Sequence, residues 1–196
     1  MSTPADTRER VLAAALACIE REGLVATSVE DVARAAEVSR ATIYRHFPGG
    51  REQLLTETAT WEVARFFARV EATVAGEPDL ASRLRLALSS GHRALDGHAL
   101  LHRLLRTEPE AVMTELSVAT DLVLELIIAY LAEQLVAEQL AGRARTDLDV
   151  PEAADHLGRL YLSYLGSPGR WDLDDPGEVA TLVRTQFMAG VAATAA

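Results

Sequence analysis

Apolar and polar side chains nowhere alternate for long along these 196 residues. A half-buried strand needs a period of two. Here apolar residues recur three and four positions apart, the period of a helix packed on one face. Ala, Leu, Glu and Arg, all strong helix formers, dominate the composition. The chain therefore reads as all-α from end to end, without an internal repeat, and its architecture is set by where helices stop.

A first helix over 7–22 carries Val11, Leu12, Ala15, Cys18 and Ile19 on one face and stops at Gly23. Ser28 and Ser39 are N-caps for two short helices, 28–36 and 39–47, and Pro48-Gly49-Gly50 ends the second. A long helix follows over 51–74, with a break at 76–79. Two helices fill 80–106, divided near Gly97, and Thr107-Glu108-Pro109-Glu110 is a further helix start. Residues 117–140 form a long helix that is apolar almost all round its middle, which predicts a central position. After a polar connection over 142–149, Pro151 opens a helix running to Leu165, and Asp175-Pro176-Gly177-Glu178 caps a last helix reaching about Val191.

The formal net charge is −10, from 19 basic and 29 acidic residues. Taken whole, that argues against nucleic acid as a partner. The distribution alters the conclusion: residues 34–51 hold Arg34, Arg40, Arg45 and Arg51 against Glu37, a local net charge of +3, with His46 beside them. The single cysteine, Cys18, excludes an intrachain disulfide and a cysteine-based zinc site. The apolar stretch 122–131 is interrupted by Glu125 and is too short to span a bilayer. The first ten residues lack the basic-then-apolar pattern of a signal peptide. The expected location is cytoplasmic, with no membrane partner.

The two Ser-capped helices, separated by Glu37-Val38, have the spacing of a helix-turn-helix. Val29, Val32 and Ala33 can pack on Ile43 and Phe47, and Val38 can plug the turn. Arg40, Ala41, Thr42, Tyr44, Arg45 and His46 are then left outside the core on a basic face. The second helix of such a motif enters the major groove. Arg40 is suited to guanine O6 and N7. Thr42, Tyr44 and His46 are suited to phosphate oxygens, as are Ser28 with the amides opening its helix and Arg51 at the start of the next.

The runs Gly23-Leu24-Val25-Ala26-Thr27-Ser28-Val29-Glu30-Asp31-Val32-Ala33 and Val38-Ser39-Arg40-Ala41-Thr42-Ile43-Tyr44-Arg45-His46-Phe47 resemble the N-terminal domain of the TetR family of bacterial transcription regulators. The resemblance covers about residues 7–55. It implies an all-α fold with a three-helix helix-turn-helix head at 1–50 and a larger helical ligand-binding and dimerisation domain at 51–196. It further implies a homodimeric regulator, in its commonest form a repressor, on a palindromic double-stranded operator, released by a small-molecule effector. By position, Arg40, Ala41 and Tyr44 would face bases, and Ser28, Thr42, Tyr44, His46 and Arg51 phosphates. The chain departs from the family at Glu37, where Gly is common, and in a Pro48–Arg51 loop one residue longer than usual. A non-Gly residue in a left-handed turn costs about 1 kcal/mol. A helical adaptor or sensor that no longer binds DNA is the alternative reading, and the zero net charge of residues 1–51 and Glu37 support it.

Elsewhere the residues say less. Trp61, Phe66, His92, His102 and Met113 are candidates for lining an apolar ligand cavity. Asp121 and Glu125, one turn apart on an otherwise apolar helix, must face solvent, a partner or a cavity. Tyr161, Leu162, Tyr164, Leu165, Val183, Phe187, Met188 and Gly190 give the last two helices apolar faces. These are either core or, as the resemblance favours, an interface between copies. His98 and His102 are one helical turn apart, with His92 nearby, but no acidic partner completes a metal motif, so no metal is expected. There is no G-x-S-x-G, glycine-rich phosphate loop or H-E-x-x-H, so neither enzymatic activity nor a cofactor is expected.

Overall fold

The computed structural model describes residues 4–193. Among them nine α-helices follow in order: α1 (Pro4–Glu22), α2 (Val29–Ala35), α3 (Arg40–His46), α4 (Gly50–Val74), α5 (Leu80–Asp96), α6 (Ala99–Thr107), α7 (Pro109–Leu140), α8 (Val150–Gly166) and α9 (Pro176–Leu182). A π-helical turn, Val183–Phe187, extends α9. The caps expected at Ser28, Ser39 and Asp175 are in place, and Asp79 and Asp149 act in the same way. Thr107, expected to open a helix, instead ends α6 and donates its hydroxyl to the Arg103 carbonyl at 3.1 Å. Ser28, Ser39, Asp79, Asp149 and Asp175 each accept an amide hydrogen from the first turn of the helix they precede. His98 was not expected to cap: its Nδ1 accepts from the Leu101 amide at 3.2 Å and opens α6.

Two boundaries differ from the sequence reading. The helix expected to open at Ser117 is continuous with the one opening at Pro109, because no Gly or Pro interrupts 110–140. The last helix does not reach Val191 as regular α. The Met188 amide reaches back five residues to the Val183 carbonyl at 2.9 Å. That wider turn keeps Val179, Leu182, Val183 and Phe187 all buried.

The helices form two compact units. One takes the chain up to Arg65 together with His98–Asp121; the other takes Phe66–Gly97 and the chain from Leu122 onward. In the first, Val11, Leu12, Ala15 and Cys18 of α1 pack with Val29, Val32 and Ala33 of α2, Ile43 of α3, Phe47 and Leu54. A second cluster joins Ile19, Leu24 and Leu55 to Leu104 of α6 and Val112 of α7. Polar bonds reinforce it: Arg103 Nη2 donates to the Ile19 carbonyl at 3.0 Å, and the Val25 amide donates to Glu108 Oε2 at 2.7 Å. Gly23 has φ +95°, and a Cβ there would stand 2.1 Å from Glu108 Oε1. Glycine is needed at this turn for its conformation, since the Glu108 carboxylate ends a flexible side chain that can give way.

In the second unit, α5 contributes Leu80, Leu84 and Leu88 to the core, α8 contributes Leu157, Tyr161 and Leu165, and α7 contributes Val123, Ile127, Leu131 and Leu135. Gly91 lets α5 approach α8 closely, since an added Cβ would lie 3.0 Å from both Leu165 Cδ1 and Tyr161 Oη. The buried Glu138 carboxylate is not left unpaired. It accepts from the Leu80 amide at 3.1 Å and from Arg143 at 2.8 and 2.9 Å.

Candidate nucleic-acid interface

The turn between α2 and α3 closes as a Schellman motif. The Val38 amide donates to the Ala33 carbonyl at 3.0 Å and the Glu37 amide to the Arg34 carbonyl at 3.3 Å. This geometry demands a left-handed residue after Ala36, and Glu37 supplies it at φ 54°. Among the described residues it is the one non-Gly residue with positive φ. Val38 packs against the cluster that holds Ala33, the apolar contact that accompanies such turns.

α3 is therefore fixed on one side and open on the other. Ile43 and the following Phe47 are fully buried, whereas Arg40, Ala41, Tyr44 and Arg45 are exposed. Arg8 of α1 lies over the Phe47 ring, 5.0 Å from its centroid, and pairs with Glu57 of α4. Helices α1 and α4 thereby hold the end of α3 from behind. On the open side, Arg40 Nη1 pairs with Glu30 Oε1 of α2 at 2.7 Å. The neighbouring Tyr44 hydroxyl and the Glu30 carboxylate hold Arg40 above its ordinary pKa, Tyr44 first. Gly50, at φ +67°, sits behind Tyr44, where an added Cβ would lie 3.3 Å from Cε1.

The seven residues expected at DNA occupy different situations. Arg40, Ala41 and Tyr44 share the exposed face of α3, where expected. Thr42 and His46 are half-buried at its margin, and the Thr42 hydroxyl is engaged with that of Ser39 at 2.9 Å. The Ser28 hydroxyl is taken up by its cap and donates to the Asp31 carboxylate. That bond, with Arg34 beside it, holds the Asp31 carboxyl below its ordinary range. Arg51 departs furthest from expectation. α4 begins at Gly50, and the Arg51 guanidinium turns back onto the α1–α2 connection. It donates to the carbonyls of Thr27 at 2.7 Å, Leu24 at 2.8 Å and Val25 at 2.7 Å. Arg51 is a clamp on the loop that carries α2, because those carbonyls have no helical partner and a guanidinium fork can reach all three.

Glu30 and Glu108 are the residues that sequence reasoning missed. Each is bound to a group distant in sequence, Arg40 and the Val25 amide respectively, and no helical periodicity links such pairs.

The expected ligand set is not gathered in one unit. Trp61, His102, Met113 and Asp121 belong to the first and Phe66, His92 and Glu125 to the second. Met113 is 58 % exposed, and Asp121 and Glu125 are also exposed. Trp61 packs against the α1–α3 core and stacks under Arg65, 4.5 Å from its ring centroid. The second unit has a groove of about 400 Å³ between α5 and the start of α9, lined by Arg85, Ser89, Arg93, Glu77 and Asp174 among others, and none of the expected residues lines it. The set expected between copies also divides. Tyr161, Leu165, Val183 and Phe187 are core of their own unit, each no more than 6 % exposed, and so are not available to a partner. Tyr161 Oη donates to the Ala87 carbonyl at 3.2 Å, and burial pushes its phenol well above the ordinary value. Leu162, Tyr164 and Met188 are half-buried and Gly190 is exposed. His98 is spent as a cap, and among the described residues no three His, Cys, Asp or Glu side chains cluster as metal ligands.

Residues 11–58, which include α2, the turn and α3, match the family of bacterial regulatory proteins named tetR. The transcriptional regulator TcmR of Streptomyces glaucescens is 32 % identical over 150 residues, 76 % of this chain. The helix-turn-helix segment of this chain is thus similar to that of the TetR family. The aligned part spans 62 % of the length of TcmR. Its fold is similar to that of a TetR-family regulator from Mesorhizobium loti, with a TM-score of 0.66 at 19 % identity, covering 98 % of this chain and all of that one. It is also similar to the regulator FadR of Bacillus subtilis, solved in complex with stearoyl-CoA, with a TM-score of 0.56 at 20 % identity, covering 93 % and 98 % of the two chains. Among the described residues no helix is long and apolar enough to cross a membrane.

Proposed function

We propose that this protein is a DNA-binding transcriptional regulator of the TetR type whose α3 enters the major groove. The observation that carries the reading is the division of α3. Ile43 and Phe47 lock one side into the core, while Arg40, Ala41, Tyr44 and Arg45 stand exposed together on a protein that is otherwise acidic. Arg40 and Tyr44 read base edges, and Ala41 permits close approach. Thr42, His46 and the amides opening α2 serve phosphates. Residues 1–50 act as the DNA-binding domain and 51–196 as the regulatory one.

The protein acts as a cytoplasmic homodimeric repressor on a palindromic operator, released by a small-molecule effector. The similarity of residues 11–58 to the TetR family supports this, as does the stearoyl-CoA bound by the structurally similar FadR. The α5–α9 groove has the volume of a small-ligand site.

The test is selection of sheared genomic DNA by the purified protein beside the Arg40→Ala/Tyr44→Ala variant. Enrichment of a few palindromic sites by the native protein alone is expected. If neither protein enriches any site, both being folded and the native one also having been refolded free of ligand, the reading falls and a helical adaptor takes its place.

A further inference from the structure

The Glu30–Arg40 pair needs an explanation. Glu30 puts a negative charge on the side of the molecule proposed to meet phosphates, which weakens DNA binding. It gives little stability in return, because the two side chains are 48 % and 58 % exposed and surface ion pairs contribute little. A first-turn acid does suit the dipole of α2, but that interaction requires no contact with Arg40.

What the contact does is geometric. Arg40 is the first residue of α3, where a long side chain would otherwise sweep many rotamers. Glu30 holds Nη1 from α2, and Tyr44 stands one turn along α3. Tethered from the neighbouring helix, the guanidinium plane has fewer orientations open to it. Bidentate recognition of a base edge depends on orientation, whereas attraction to phosphate depends only on charge.

Resting on the regulator reading above, we infer that Glu30 is a positioning residue for base selectivity: it holds the Arg40 fork from α2 and gives up general DNA affinity for discrimination at one base pair. The two effects run in opposite directions when Glu30 is neutralised, and a merely structural role would not produce that pattern.

The experiment selects a library of randomised duplexes with the full chain in five forms: native, Glu30→Gln, Arg40→Lys, Arg40→Ala and Glu30→Gln/Arg40→Ala. Affinities for the best duplex and for an unrelated one are then measured. Thermal melts verify folding, which an exposed, isosteric Glu30→Gln change should preserve. The native protein is expected to fix one base pair, guanine in Arg40's strand, by about tenfold or more over alternatives. Glu30→Gln should lose most of that preference while binding unrelated duplex more tightly. Arg40→Lys should lose it too, though its charge is kept. In the Arg40→Ala background, Glu30→Gln should raise affinity without altering any base preference.

Retention of the full native preference by Glu30→Gln overturns the inference. So does a change of preference on adding Glu30→Gln to Arg40→Ala, which would make Glu30 itself a base contact. If the native protein enriches no sequence, the regulator reading fails and this inference fails with it. If it enriches sequences that Glu30→Gln reads equally well, the inference alone fails.

Discussion

Arg51 separates two accounts of the head cleanly. As a phosphate contact it would contribute to DNA binding and nothing to folding. As a clamp on the carbonyls of Leu24, Val25 and Thr27 it contributes to both. Hydrogen bonds contribute a net of about 0.5–1.5 kcal/mol each. Arg51 itself is exposed, which favours the lower half of that range, so three bonds give about 2 kcal/mol for Arg51→Ala. For a chain of this size that corresponds to a fall in Tm of about 4–8 °C. Arg51→Lys decides between the accounts. An ammonium keeps the charge but lacks the fork that spans three carbonyls, so it should lose more than half of the stability lost by Arg51→Ala. Thermal and urea denaturation of the three proteins measures this, with operator affinity at several salt concentrations alongside. If Arg51→Ala melts within about 1 °C of the native protein while the salt slope of DNA binding drops by about one, the clamp account is wrong and Arg51 serves a phosphate.

Three further outcomes are expected. Glu37→Gly should exceed Glu37→Ala in stability by about 0.5–1 kcal/mol: relief of left-handed strain, about 1–2 kcal/mol, outweighs the added freedom of the unfolded chain, about 0.4–1 kcal/mol. Equal or reversed stabilities in urea would count against a strained turn at φ 54°. Gly91→Ala gains helix propensity of about 1 kcal/mol but crowds Leu165 and Tyr161 at 3.0 Å, an overpacking that costs about 1–3 kcal/mol. The expected result is a lower Tm, and a Tm raised by several degrees would show that α5 and α8 have room to part. Asp79 accepts the Ser82 amide, which holds its carboxyl below the ordinary value of about 3.9. The stability it adds is present above that pH and lost as pH falls through the lower folded value. A melt series from pH 5 to 2 should therefore show a shallower acid decline for Asp79→Asn than for the native chain, and identical declines would refute the linkage.

The two short helices of the head were legible because their determinants are local. Ser28 and Ser39 accept amides three residues on, and Val29, Val32, Ala33, Ile43 and Phe47 fall on one side by helical period alone. The exposed set Arg40, Ala41 and Tyr44 followed as the remainder. The same reasoning failed where a residue's partner lies far along the chain. Arg51 opens a helix, and only folding brings it onto carbonyls 24 to 27 residues earlier. The apolar faces of the last two helices were equally visible, but periodicity says only that a face must be covered, not by what. The covering of Tyr161 and Leu165 by α5 depends on the close approach that Gly91 allows.

By itself, then, the sequence determined the all-α class, the caps at Ser28, Ser39 and Asp175, and the helix-turn-helix, each of which depends on residues within a few positions of one another. Tertiary structure alone decided which arginine stays on the exposed face of α3 and which is tied to the backbone. It also decided which apolar face is core, and that an acid on α2 holds Arg40 of α3. Those outcomes depend on charge and packing between segments whose separation along the chain no local pattern records.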